Sequence, residues 1–167
     1  STGLRALMRH DPDIIMVGEI RDKETAEIAI HSALTGHLVL STLHTNTAAG
    51  AIPRFLDMGA EDFLLASTVN AIAAQRLVRK ICSSCITKYE PNEAILRKLS
   101  KDLGVNLTTQ KFYKGQGCNQ CNSKGYSGRI GIFEVFSTSE KIRGLITQRA
   151  TSDDIQKQAV TEGMITM

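Results

Sequence analysis

With 167 residues, 42% of them hydrophobic and 22% charged, the chain has a globular balance and enough length for a core that needs no metal or disulfide to hold it. A net charge of +3, an aromatic content of 5% and the absence of Trp argue against a nucleic-acid surface, whether built on a basic face or on base stacking. No run approaches the ~18 apolar residues of a membrane span, and no leader-like pattern of a charged then apolar stretch is visible, so a cytoplasmic setting is expected.

Residues 4–9 read as a short helix with Leu4, Leu7 and Met8 on one side, ended by Asp11-Pro12 because the residue before a proline avoids the helical region. Ile14-Ile15-Met16-Val17 is a continuous apolar run without alternation, the pattern of a strand buried on both faces of a parallel sheet. Asp22 can cap the next helix, with Glu24 in its first turn, an apolar stripe of Ala26, Ile30, Ala33 and Leu34, and Gly36 as its stop. Leu38-Val39-Leu40 predicts a second strand that runs on into Ser41-Thr42-Leu43. A helix is expected over residues 47–58, bent or delayed by Gly50 and Pro53 and ended by Gly59. Strand, helix, strand, helix implies parallel strands with crossover helices, the α/β class. A longer helix is predicted over residues 62–81 on Leu65, Val69, Ile72, Leu77 and Ile81.

The character changes at Cys82. Residues 82–132 contain all four cysteines, several glycines and one helical stretch over 92–103, ended by Gly104. Residues 130–136 read as a strand, and two short helices follow over 140–148 and 152–162. The chain thus divides into 1–81, 82–132 and 133–167.

In an open parallel sheet, ligands bind beyond the carboxyl ends of the strands. The first strand ends in Gly18-Glu19-Ile20-Arg21-Asp22 and the second in Ser41-Thr42-Leu43-His44-Thr45-Asn46. If the strands are neighbours, Glu19 and His44 face one crevice. A carboxylate there could hold a magnesium-bound water or orient an attacking one, and a histidine or hydroxyl could sense a terminal phosphate. The blander alternative is that polar residues after strands only cap helices, and Asp22 and Asn46 suit that. His31 reads as a structural residue on a helix with small apolar neighbours, His37 as a turn residue and His10 as a surface one. None has ligand spacing with another.

Cys82-x-x-Cys85 and Cys118-x-x-Cys121 form two knuckles. Each pair can bring two thiolates onto one ion, and two pairs close a four-sulfur zinc site. The helix expected over 92–103 absorbs the long gap, Gly117 and Gly125 supply turns, and Lys80, Lys88 and Lys124 can offset the thiolate charge. Redox dithiols and disulfides are the alternatives. A redox pair belongs at a helix N-terminus after a strand, whereas Cys82 follows an expected helix. Disulfides do not suit a cytosolic setting. A closed four-sulfur site is structural and does no chemistry. Arg76, Arg79 and Lys80 make a basic cluster before the first knuckle, which reads as a solvated face or as a source of intersubunit ion pairs.

Residues 4–22, LRALMRHDPDIIMVGEIRD, resemble the atypical Walker B region of the type II secretion and type IV pilus assembly ATPases. Residues 35–46, TGHLVLSTLHTN, are similar to that family's His box, and residues 74–79 and the tetracysteine module resemble its secretion and pilus-extension branch. The resemblance covers essentially the whole chain. It implies the second half of a RecA-like P-loop NTPase core over 1–81, a small zinc-bound α+β module over 82–132, and a C-terminal helical segment over 133–167. It implies Glu19 and His44 as catalytic residues, Glu19 serving the magnesium and the water, with Gly18 in place of the usual aspartate and Gly18, Arg21 and Thr42 beside the nucleotide. It also implies ATP as substrate, a homo-hexamer, a polytopic inner-membrane platform protein as partner, and work at the cytoplasmic face of that membrane, with no nucleic acid. Two departures matter. The 167 residues contain no G-x-x-x-x-G-K-[ST] loop to cradle phosphates, nor the family's Asp box and N-terminal domain. The chain is therefore expected to be a piece that by itself binds ATP weakly and hydrolyses none, with an exposed sheet edge. The alternative expectation is a zinc-stabilised interaction module without catalysis of its own.

Overall fold

A computed structural model describes residue 10 and residues 12–167; the helix expected over residues 4–9 lies outside the described residues. The chain forms two compact units, residues 1–75 together with 133–167, and residues 76–132.

In the first unit, β1 (Ile14–Val17) and β2 (Leu38–Ser41) pair in parallel, Ile14 opposite Leu38 and Val17 opposite Ser41. Helix α1 (Lys23–Leu34) makes the crossover. It starts where the Asp22 carboxylate accepts the Thr25 N–H at 2.8 Å, and it ends before Gly36, whose φ of +99° is costly for any residue with a Cβ. Ala26, Ala29 and Ile30 are buried, while Leu34 is exposed, so the stripe is narrower than the sequence suggested. The expectation that β1 is covered on both faces is corrected. Ile15 is 4% exposed, but Ile14 and Met16 are 60% and 76% exposed, and their cross-strand partners Leu38 and Leu40 are 48% and 49% exposed. Side chains alternate faces along a strand. Helix α1 lies on one face, and no second layer covers the other among the described residues.

Helix α2 (Ala51–Asp57) starts only after Gly50, with Pro53 in its first turn, where a missing N–H costs nothing. Helix α3 (Asp62–Thr68) is short, and the long helix expected over 62–81 is corrected. Val69 turns extended, and residues 71–81 form β3 (Ala71–Ile81), paired with β6 (Tyr126–Ser137). The Thr138 N–H donates to the Asn70 carbonyl at one end of this pair and the Cys82 N–H to the Gly125 carbonyl at the other, so the strands are antiparallel. Alanine, arginine, leucine and lysine favour helix in isolation, but pairing with β6 overrides that preference. Arg76, Arg79 and Lys80 therefore lie on a strand rather than a helix.

The C-terminal helices α5 (Glu140–Thr147) and α6 (Ser152–Thr161) follow β6, capped by Ser139 and Thr151. Their Ile142, Ile146, Ile155 and Ala159 join Ile30, Ala48, Ile52, Leu65 and Phe136 in one buried cluster. Residues 133–167, set apart as a segment of their own in the sequence reading, thus share a core with the α/β part. The second unit contains the antiparallel pair β4 (Ile86–Tyr89) and β5 (Phe112–Gly115), with helix α4 (Glu93–Leu103) between them and a 3-10 turn over Asn119–Cys121. Among the described residues, no helix is long and apolar enough to cross a membrane.

Candidate functional site

Because β1 and β2 are parallel neighbours, their carboxyl ends emerge side by side. The pairing continues past the strands: the Ile20 N–H donates to the Thr42 carbonyl at 3.0 Å, and the Thr42 hydroxyl donates to the Gly18 carbonyl at 2.7 Å. This brings Glu19 and His44, 25 positions apart, together. His44 Nε2 lies 2.8 Å from Glu19 Oε2, and Arg21 Nε donates to the same oxygen at 2.5 Å. The Glu19 side chain is 37% exposed, those of Arg21 and His44 68% and 77%. The Arg21 guanidinium, and after it the His44 ring, hold the Glu19 carboxyl below the usual carboxylate range.

Glu19 is thus an ionised acceptor near neutral pH, suited to holding a cation's water or orienting a nucleophile rather than to taking a proton outright. Gly18 has open space where a Cβ would stand, so no packing among the described residues demands glycine there. The sequence-derived set Gly18, Glu19, Arg21, Thr42 and His44 therefore meets at one sheet end. Two other histidines have local settings of their own. His37 Nδ1 is in a local turn, 3.0 Å from the Ser32 carbonyl, and His31 is exposed at the end of α1 rather than lodged in a core.

One buried carboxylate elsewhere in the first unit carried no motif. Glu134, 3% exposed on β6, accepts the Ala48 N–H at 2.5 Å and the Met167 N–H at 3.3 Å. Its signal in the sequence was a lone carboxylate inside the apolar run 130–136.

In the second unit the four cysteines converge, and all four sulfurs lie within 4.8 Å of one another. The separations Cys82–Cys118, Cys85–Cys121 and Cys118–Cys121 are 3.9, 3.8 and 3.8 Å. A tetrahedron with metal–sulfur bonds of about 2.3 Å has edges of about 3.8 Å, so the donor set fits such an ion. None of the four is disulfide-bonded. Backbone amides point at the sulfurs: Gly117 N–H to Cys85 at 3.3 Å, and Cys118 and Gly125 N–H to Cys121 at 3.2 and 3.3 Å. These donors, the Cys118 amide first, lower the Cys121 thiol to about 6, while burial pushes Cys85 up to about 11. The expected turns at Gly117 and Gly125 have φ of +96° and +73°. Arg79 lies over the Tyr126 ring at 4.2 Å.

The family model described as Type II/IV secretion system protein matches residues 1–167. The chain is 48% identical over 161 residues to the Type II secretion system protein E of Pseudomonas aeruginosa, covering 96% of this chain and 32% of that protein. It is 49% identical over 165 residues to the Type IV pilus assembly ATPase PilB of the same organism, covering 98% of this chain and 28% of that one. Among solved structures it resembles the pilus retraction motor PilT with bound ADP, with a TM-score of 0.57 and 28% identity over 99% of this chain and 40% of that one. The chain thus spans about a third of the length of these curated relatives.

Proposed function

The chain belongs to the Type II/IV secretion system protein family, and we propose that it forms the second half of the motor core of an ATPase that drives protein secretion or pilus assembly. The observation that carries this reading is the 2.8 Å contact between Glu19 and His44 at the carboxyl ends of parallel neighbours, where this fold class binds its ligands. Glu19 orients the attacking water, and Arg21 keeps its carboxylate ionised. His44 and the Thr42 hydroxyl face the terminal phosphate, and Gly18 leaves room for the nucleotide. Glu19 is the residue that would hold magnesium, which would supply charge neutralisation at the phosphates. The longer protein works as a homo-hexamer at the cytoplasmic face of the inner membrane, on a polytopic platform protein.

The four thiolates would hold a structural zinc ion. The amide donors on Cys85 and Cys121 support this because such contacts stabilise thiolates, and four sulfur ligands would leave no open position on a tetrahedral ion. A second reading, a zinc-stabilised interaction module, is favoured by one observation: all four cysteines lie in a compact unit of their own, residues 76–132.

The two readings separate by experiment. Full-length protein with Glu19→Gln should lose at least about 10²-fold in turnover, the scale expected when a positioned catalytic group is removed, while ADP still binds. Turnover unchanged by Glu19→Gln would refute Glu19 as the catalytic carboxylate, and no turnover in the unmutated full-length protein would leave only the interaction module. The 167-residue chain, lacking a phosphate cradle, should show no turnover above background in a phosphate-release assay.

A further inference from the structure

The Glu19–His44 contact is between exposed side chains, and exposed polar contacts are too weak to hold their own geometry. The backbone must therefore place His44. On its N-terminal side the chain is tied by Thr42, through both its carbonyl and its hydroxyl. On its C-terminal side the first fully buried residue is Ala48, at 0% exposure. Between these points residues 43–47 have no regular structure; Leu43 packs against the buried Ile20, Ala26 and Ala29, and a short turn follows, with Thr45 Oγ1 donating to the Thr47 carbonyl and the Gly50 N–H donating to Thr47 Oγ1.

The Ala48 N–H does not bond to a neighbouring turn. It donates to Glu134 Oε1, 86 positions away on β6, and Glu134 Oε2 accepts the Met167 N–H. A carboxylate 3% exposed is costly to bury unless its partners need it. A neutral apolar side chain at 134 would leave the Ala48 N–H buried without an acceptor.

We propose that Glu134 is a positioning residue for the Glu19–His44 pair, acting as the second anchor of the His44 loop through the Ala48 amide. This rests on the motor reading above for its consequence in turnover, but not for its geometry. Because β6 carries the anchor, residues 133–167 take part in the site without touching nucleotide.

The test follows His44 directly. In the 167-residue chain with labelled histidine, Glu19→Gln should shift the His44 ring signals. In Glu134→Ala those signals should already be displaced and should no longer respond to Glu19→Gln. In Glu134→Gln, which keeps an oxygen for the Ala48 amide, the response should survive. If Glu134→Ala unfolds the chain, the Gln variant alone decides. A folded Gln variant in which His44 ignores Glu19, or a folded Ala variant in which it still responds, overturns the proposal. In full-length protein, Glu134→Ala should lower kcat roughly tenfold to a hundredfold, as a ~1 Å misplacement does, with KM for ATP unchanged and rescue by Gln. Loss of the His44 response with kcat unaffected by both Glu134→Ala and Glu19→Gln would support the anchor and refute the catalytic reading instead.

Discussion

Carboxylates do several distinct jobs in this chain. Glu19 is held ionised by Arg21 and His44, Asp22 by the Thr25 amide and hydroxyl at the start of α1, and Asp62 by Arg149 Nε at 2.8 Å. All three are depressed below their ordinary values. Their stabilisation is therefore complete above the unfolded-chain values of about 3.9–4.3 and is lost as pH falls through the lower folded values. Acid titration followed by circular dichroism should show the first unit losing helix below about pH 4. Asp62→Asn should flatten that acid limb, and an unchanged limb would show that Arg149 contributes nothing. At the same scale, Ser139→Ala removes the α5 cap on the Ile142 N–H and the hydroxyl that donates to Glu162. It should cost about 1 kcal/mol in urea unfolding.

Glycine decides the second unit at the scale of elements. The end of β5 and the loop after the second knuckle approach so closely that a Cβ at Gly115 would overlap the Gly125 carbonyl, and a Cβ at Gly125 would lie 2.6 Å from the Gly115 oxygen. Backbone cannot yield there as a flexible side chain could. Gly115→Ala should therefore spread the knuckles and weaken metal binding at least tenfold in a chelator competition, while Gly144→Ala, in open space on α5, should not. In the first unit, α5 and α6 fill the core through Ile142, Ile146 and Ile155, all at 0% exposure. Ile142→Ala should cost about 2–5 kcal/mol. Strand β3 shows where a local reading fails. The spacing of Val69, Ile72, Leu77 and Ile81 fits a helix about as well as a strand, and the residues between them are good helix formers. The alternation that would have marked a strand is confined to residues 71–75.

For the whole molecule, the division into two units predicts how it comes apart. Binding free energy at a four-thiolate site is also folding free energy. Removing metal by chelator, or Cys118→Ser, should unfold residues 76–132 while the amide signals of α1, α5 and α6 persist. Loss of both units together would show that they do not fold separately. Thiol reagents should be silent before chelation and titrate four groups after it. Immediate reaction of two would favour a redox pair. The outer face of β1 and β2, with Ile14, Met16, Leu38 and Leu40 exposed, should make the 167-residue chain prone to self-association. Light scattering on a chain carrying Met16→Thr and Leu40→Thr should show less of it.

Local chemistry alone determined which residues could act. Cys-x-x-Cys knuckles, polar clusters after apolar runs and the cap at Asp22 are short-range patterns whose physics is complete within a few residues. They were enough to single out Glu19, His44 and the four cysteines as candidates, and to class the first unit as α/β. Tertiary structure decided what depends on partners distant in sequence. It turned residues 71–81 into a strand because β6 supplies a ladder. Among the described residues, it left one face of β1 and β2 uncovered because α1 lies on the other. It joined Glu134 to Ala48 across 86 positions because a buried amide needs an acceptor wherever the fold can bring one. No window of sequence contains those partners, and so no local pattern could show them.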